Sequence, residues 1–140
     1  MSPAGLDASV ALSWCFKDEA SPETDAMLDH VRAFGALVPG LWFLEVGNVL
    51  LQAERRGRIA PADVFVRLEL ISALPITVDA LSVAAAWDEV LALARAHRLT
   101  TYDASYLELA MRRRLKLFTR DAALVAAARV VGVAMGMAGL

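Results

Sequence analysis

A strand followed by a helix decides the fold: residues 36–57 read ALVPGLWFLEVGNVLLQAERRG. Residues 36–38 are a short apolar run closed by Pro39, which predicts a strand. The helix predicted over residues 41–56 ends at Gly57 and carries basic residues in its last turn. A strand that leads directly into a helix is the unit from which parallel sheets are built.

The same alternation recurs along the rest of the chain. Strands are predicted at residues 4–7, 36–38, 76–78, 100–102, 116–119 and 133–135. Helices are predicted at residues 9–16, 21–34, 41–56, 61–74, 82–96, 103–113 and 121–131. Alternating short strands and longer helices indicate an α/β protein. We therefore expect a three-layer α/β/α sandwich with a mostly parallel central sheet, formed by residues 1–140 as a single domain.

The composition is apolar, with 58% hydrophobic and 21% charged residues. This excess predicts a sheet buried on both faces, or apolar surface that a partner covers. No segment resembles a membrane span or a signal peptide. Cys15 is the only cysteine, which excludes an intrachain disulfide and favours a reducing, cytoplasmic location. The net charge of −2 does not itself indicate nucleic-acid binding, so any such function requires a local site.

Four acidic residues are candidates for that site. Asp7, Asp103 and Asp121 each follow a predicted strand, and the carboxyl ends of parallel strands meet at one edge of a sheet. Glu45 lies in a helix between apolar neighbours. The alternative is that the three aspartates simply cap helices and that Glu45 is a solvated helix residue. Capping explains each acid separately, whereas a shared site explains the set.

Four segments in order resemble the motifs of the PIN-domain family. They are LDASVA at residues 6–11, PGLWFLEVGNVL at 39–50, LTTYDASYLELA at 99–110 and LFTRD at 117–121. The order, the spacing and the chain length all agree with the family. One departure is the sequence Pro3-Ala4-Gly5 before Leu6, where the family usually has bulky apolar residues. Proline and glycine support a strand poorly, so this departure questions how firmly Asp7 is held.

The resemblance implies an endoribonuclease that uses Mg²⁺ or Mn²⁺ and leaves a 5′-phosphate and a 3′-hydroxyl. The family's catalytic and metal-binding acids correspond to Asp7, Glu45, Asp103 and Asp121. Groups that orient carboxylates, waters or phosphate correspond to Ser9, Asn48 and Thr119. Carboxylates suit hard divalent cations, whereas the dispersed His30, His97 and Cys15 do not predict a zinc site.

The resemblance extends to partners. Short, stand-alone members of the VapC-like type are toxins of type II toxin–antitoxin pairs, which implies a small antitoxin protein as partner besides the RNA substrate. The aromatic residues Trp14, Trp42, Phe43 and Trp87 suit a core, a homodimer contact or a partner groove. We expect a homodimer. Basic residues at 55, 56 and 58 and at 112–114 and 116 suit either helix C-termini or an RNA-backbone patch.

Two other functions are compatible with an α/β fold. A catalytically idle PIN-like scaffold would bind RNA or protein without a need for the complete set of acids. A phospho-acceptor receiver domain would need paired acids near the first strand and a lysine late in the chain near the phosphoryl site. Asp7 has no acidic neighbour and Lys116 begins its predicted strand, so the receiver pattern is not met.

Overall fold

A parallel sheet of four strands forms the middle layer of the protein. The computed structural model describes residues 2–81 and 83–136. The strands are β1 (Ala4–Leu6), β2 (Ala36–Pro39), β3 (Ile76–Asp79) and β4 (Leu117–Phe118), in the order β3-β2-β1-β4. Every pairing is parallel, so the carboxyl ends of the strands share one edge of the sheet.

Helices cover both faces of the sheet, which gives the expected three-layer α/β/α sandwich. The α-helices are α1 (Ala8–Ser13), α2 (Pro22–Phe34), α3 (Leu41–Arg55), α4 (Pro61–Ser72), α5 (Val83–Ala85), α6 (Leu91–His97), α7 (Thr101–Arg113) and α8 (Ala122–Val131). A 3₁₀ turn spans Lys17–Glu19, and a π-helical turn spans Ala86–Val90. Within the described residues, no helix has the length and apolarity needed to cross a membrane.

Strand β1 lies in the centre of the sheet, and its small residues fit that place. A Cβ added to Gly5 would contact Leu117 at 3.4 Å and Leu109 on α7 at 3.8 Å, so neighbouring side chains already fill the space beside it. Hydrogen bonds anchor the strand, from Gly5 N–H to Lys116 O at 2.8 Å and from Asp7 N–H to Phe118 O at 2.9 Å. The small residues Ala4 and Gly5 before Leu6 therefore do not loosen Asp7.

Helix α2 begins and ends as its sequence predicts. The Ser21 and Thr24 hydroxyls each accept the backbone N–H of the other residue, and Pro22 opens the first turn. Gly35 follows the helix at φ 84°, a conformation that favours glycine, and its N–H bonds Val31 O. This turn directs the chain into β2, beside β1.

Three sequence predictions need correction. The strand predicted at residues 100–102 is wrong, because Thr100 caps α7 by accepting the Asp103 N–H at 3.0 Å and the helix begins at Thr101. Threonine favours both strands and N-caps, and here the cap prevails. The helix predicted over 82–96 is not one regular α-helix, since the π-helical turn interrupts it. The strand predicted at 133–135 is reduced to one parallel bridge between Met135 and Leu117.

Candidate active site

The carboxylate of Asp7 lies at the centre of the candidate site. Asp7 directly follows β1 and is only 5% exposed. The Ser9 hydroxyl donates to Asp7 Oδ2 at 2.7 Å, and the Thr119 hydroxyl donates to the same oxygen at 2.8 Å. Asp7 occupies the N-cap position of α1 but makes no capping hydrogen bond with its side chain. Two hydroxyls from separate segments therefore hold the carboxylate, in place of a helix-capping bond.

Those two hydroxyls also connect Asp7 to the loop after β4. Ser9 Oγ accepts the backbone N–H of Arg120 at 3.0 Å, and Thr119 Oγ1 accepts that of Asp121 at 3.0 Å. Asp121 in turn caps α8, since its Oδ1 accepts the N–H of Leu124 at 3.0 Å. Asp121 thus has the capping role that the alternative interpretation predicts, and it is also joined to Asp7 through Thr119.

Glu45 is held by a tyrosine that the sequence analysis did not single out. Glu45 is half-buried on α3, and the buried Tyr106 of α7 donates its hydroxyl hydrogen to Glu45 Oε1 at 2.6 Å. Tyr106 lies three residues after Asp103, so both residues are on one side of α7. A polar aromatic residue one turn after a candidate acid is the signal that identifies Tyr106.

The acids interact electrostatically across the site. Burial raises the pKa of Asp7, and the charge of Asp121 raises it further, although the Ser9 and Thr119 hydroxyls oppose both effects. Burial raises the pKa of Glu45, with added repulsion from Asp7 and Asp103, while the Tyr106 hydroxyl lowers it.

Burial also raises the pKa of Asp103, and the charges of Asp121 and Asp7 add to the effect. Helix α7 carries Asp103 in its first turn, where Thr100 and not Asp103 serves as the cap. Charge interactions therefore link Asp103 with Asp7 and Asp121, Asp7 with Asp121, and Glu45 with Asp7 and Asp103.

The donor set fits a hydrated hard cation. In residues 2–81 and 83–136, no three His, Cys, Asp or Glu side chains are close enough together to enclose a metal ion. Mg²⁺ is usually bound through one or two carboxylates and keeps several waters, so it does not need an all-protein cage. The Ser9 and Thr119 hydroxyls orient the Asp7 carboxylate, and the acids of the site repel one another. Both features favour a cation at this place.

The remaining candidates are placed less centrally. Asn48 is exposed on α3, and its side chain makes no hydrogen bond within the described ranges, so its orienting role stays a prediction. Arg112 and Arg113 both bind Asp79 at the end of β3, at 2.7 and 3.2 Å, and Arg112 also binds Glu108 at 2.7 Å. The ion pairs of these two arginines connect α7 to β3, which favours a structural role over an RNA-backbone patch.

Comparisons with known proteins agree with this geometry. The family model for the PIN domain matches residues 5–130. The crystal structure of PAE2754 from Pyrobaculum aerophilum is 29% identical in sequence and superposes with a TM-score of 0.69, over 91% of this chain and 87% of that one. A search of curated proteins gives no match. The protein belongs to the PIN-domain family, whose fold is generally that of a metal-dependent nuclease.

Proposed function

We propose that the protein is a metal-dependent endoribonuclease that hydrolyses RNA phosphodiester bonds. The observation that carries this proposal is the Asp7 carboxylate, buried at the end of the central strand, hydrogen-bonded by Ser9 and Thr119, and repelled by Asp121. Burial and mutual repulsion both disfavour ionised carboxylates. A fold that keeps several of them together therefore indicates a function such as cation binding. Nuclease activity is the usual function of the family.

Each residue has a definite task in this proposal. Mg²⁺ or Mn²⁺, when bound, supplies Lewis-acid activation of water and of the phosphodiester. Asp7, Glu45, Asp103 and Asp121 hold the cation directly or through water. Ser9 and Thr119 fix the orientation of Asp7, and Tyr106 fixes that of Glu45. Oriented ligands keep the site in its reactive geometry without rearrangement during the reaction.

The test is cleavage of an end-labelled single-stranded RNA by the purified chain, with EDTA, Mg²⁺ or Mn²⁺. We expect cleavage only with a divalent ion, and products that carry a 5′-phosphate and a 3′-hydroxyl. Products with a 2′,3′-cyclic phosphate would contradict the proposal. RNA that is bound but not cut with either metal would instead identify the chain as an idle PIN-like scaffold.

A toxin role is the finer part of the proposal. The resemblance to VapC-like toxins supports a small antitoxin protein as partner. An RNA substrate supports a cytoplasmic location. Expression of the parent chain in bacteria should stop growth, whereas the Asp7→Asn variant should not. Co-expression of the neighbouring gene's product should restore growth with the parent. Unimpaired growth with active parent protein would contradict the toxin role.

Exposed apolar surface supports a homodimer that also offers a groove to an antitoxin. Trp87 is 74% exposed in the π-helical turn. A groove between α3 and α4 is lined by Trp42, Phe43, Phe65 and Leu68. Exposed aromatic residues of this kind are common at protein interfaces. Light scattering at micromolar concentration should give at least the mass of a dimer, and a clean monomer would contradict this assembly.

A further inference from the structure

A chain of ion pairs lies at the edge of the candidate site. Arg58 binds Asp18 at 2.8 Å and Glu19 at 3.2 Å, and Glu19 also binds Arg120 at 3.2 Å. The Glu19 carboxylate is therefore shared between two guanidinium groups, Oε2 with Arg58 and Oε1 with Arg120. Arg58 also lies over the ring of Phe16, 3.9 Å from its centroid, which fixes it in place.

Of these ion-paired residues, Arg120 is the one that lies in the candidate site. It lies between Thr119 and Asp121 in the sequence, and its backbone N–H bonds the same Ser9 hydroxyl that donates to Asp7. Two hydrogen bonds thus connect the Arg120 backbone to the central carboxylate. Its side chain is 36% exposed and that of Glu19 is 30% exposed, so solvent and ligands reach this pair.

A nuclease with several acids at its centre needs positively charged side chains near them, because carboxylates repel the RNA phosphates. Arginine suits this role, since its planar guanidinium donates two parallel hydrogen bonds to a phosphate. In the present structure Glu19 occupies one of those donors. An exposed ion pair of this kind contributes little stability, so a phosphate can replace the carboxylate at small cost.

We propose that Arg120 binds a backbone phosphate of the RNA at the edge of the site, and that Glu19 competes with that phosphate for Arg120. The inference rests on the proposed function for the identity of the ligand. It assigns Glu19 a definite effect: the carboxylate weakens RNA binding in the free protein. Arg58 holds Glu19 in the competing position through Oε2.

The test uses a short fluorescein-labelled single-stranded RNA. Its binding is measured by fluorescence anisotropy in EDTA, and KM for its cleavage is measured in Mn²⁺. Glu19→Gln should tighten binding by about two- to fivefold at low salt. Arg120→Gln should weaken binding and reduce the slope of log K against log salt by about 0.7, the value for one phosphate contact on a single strand. Arg120→Lys should keep the slope but bind more weakly than the parent, because lysine lacks the fork.

The double variant Glu19→Gln with Arg120→Gln separates this account from a general charge effect. It should bind no more tightly than Arg120→Gln alone. Asp29→Asn is the matched control, since it also removes one negative charge and releases an exposed arginine, Arg32, from an ion pair of 3.7 Å. Asp29→Asn should leave RNA binding unchanged.

Equal tightening by Glu19→Gln and Asp29→Asn would overturn the inference, and so would a Glu19→Gln gain that persists without Arg120. Absence of RNA binding by the parent would overturn it as well. RNA that binds as expected but is never cut would overturn the proposed function alone. RNA that is cut without any effect of these variants would overturn this inference alone.

Discussion

The Thr119 hydroxyl donates a hydrogen bond of 2.8 Å to Oδ2 of Asp7, a residue 112 positions earlier in the chain. The two residues meet because β1 and β4 are neighbouring parallel strands that end at the same edge of the sheet. Thr119 is itself buried, and its Oγ1 accepts the backbone N–H of Asp121. One hydroxyl therefore joins the first and the last of the candidate acids.

Replacement of that hydroxyl should lower both the free energy of unfolding and the rate of RNA cleavage. Thr119→Val keeps the shape but leaves a buried carboxylate oxygen and the Asp121 N–H with one partner fewer. A lost buried hydrogen bond typically costs about 1–3 kcal/mol, which urea denaturation will measure. RNA cleavage should also fall. The matched control is Thr77→Val on the exposed face of β3, and equal losses in both variants would contradict the role given to Thr119.

Removal of one acidic charge should stop catalysis without unfolding the protein. Asp7→Asn, Asp103→Asn, Asp121→Asn and Glu45→Gln keep the side-chain shape but lose the charge that attracts a cation. We expect each to lower the cleavage rate by about 100-fold or more, as for other residues that act as a unit. Asp88→Asn, an exposed acid in the π-helical turn, should keep the parent's rate. Parent-like rates in any two of the four variants would refute the assignment.

Stability should fall as pH rises through the range in which the site acids ionise. Burial and neighbouring charges raise the pKa of Asp7, Glu45 and Asp103 in the folded state. Between the unfolded value of about 4 and those higher values, the folded protein holds more protons than the unfolded chain. The free energy of unfolding therefore decreases with pH in this window, and the loss persists above it.

Asp103→Asn isolates one contribution to this pH dependence. The variant cannot ionise at residue 103, so its stability in EDTA, relative to the parent, should increase from about pH 4 upwards and then level off. Denaturation midpoints of both proteins across this range will measure the difference. A relative stability that is constant with pH, or that decreases, would contradict the raised pKa of Asp103.

The Tyr106 hydroxyl should control the ionisation of Glu45. Its hydrogen bond lowers the Glu45 pKa against the effects of burial and of Asp7. Tyr106→Phe keeps the ring but removes the donor, so the acid limb of the kcat/KM profile for RNA cleavage should move to higher pH. The rate well above that limb should change less. Tyr102→Phe, at an exposed tyrosine, is the control, and identical profiles for parent and Tyr106→Phe would exclude this role.

Local patterns predict most of the fold because each element carries its own signals. Pro22 and Gly35 bracket α2 as expected, and Gly57 follows α3 at φ 73°. The stretch at residues 100–102 was not predictable in the same way, since threonine serves strands and caps alike and only the Thr100 hydrogen bond to Asp103 N–H decides between them. Interruption of a helix by a π-helical turn likewise has no local signal here.

The sequence predicts which acids are candidates for the site, but not which side chains contact them. Parallel strands bring their carboxyl ends together, so the position of Asp7 beside the loop of Asp121 follows from the topology. Which hydroxyl donates to which carboxylate depends on side-chain packing between distant segments. The Tyr106 contact with Glu45, for example, requires α3 and α7 to face each other, which sequence spacing alone does not determine.

The most direct test of the central claim is a set of melting curves for the parent and Asp103→Asn, each with EDTA and with Mn²⁺ at neutral pH. If four acids form one cation site, Mn²⁺ binds only the folded parent and stabilises it by about 2.7 kcal/mol at 100 times its dissociation constant. For a chain of this size that corresponds to a rise of several degrees in melting temperature. Asp103→Asn should melt no lower than the parent in EDTA and should lose most of the response to Mn²⁺. An equal response to Mn²⁺ in both proteins would contradict a single site built from these acids.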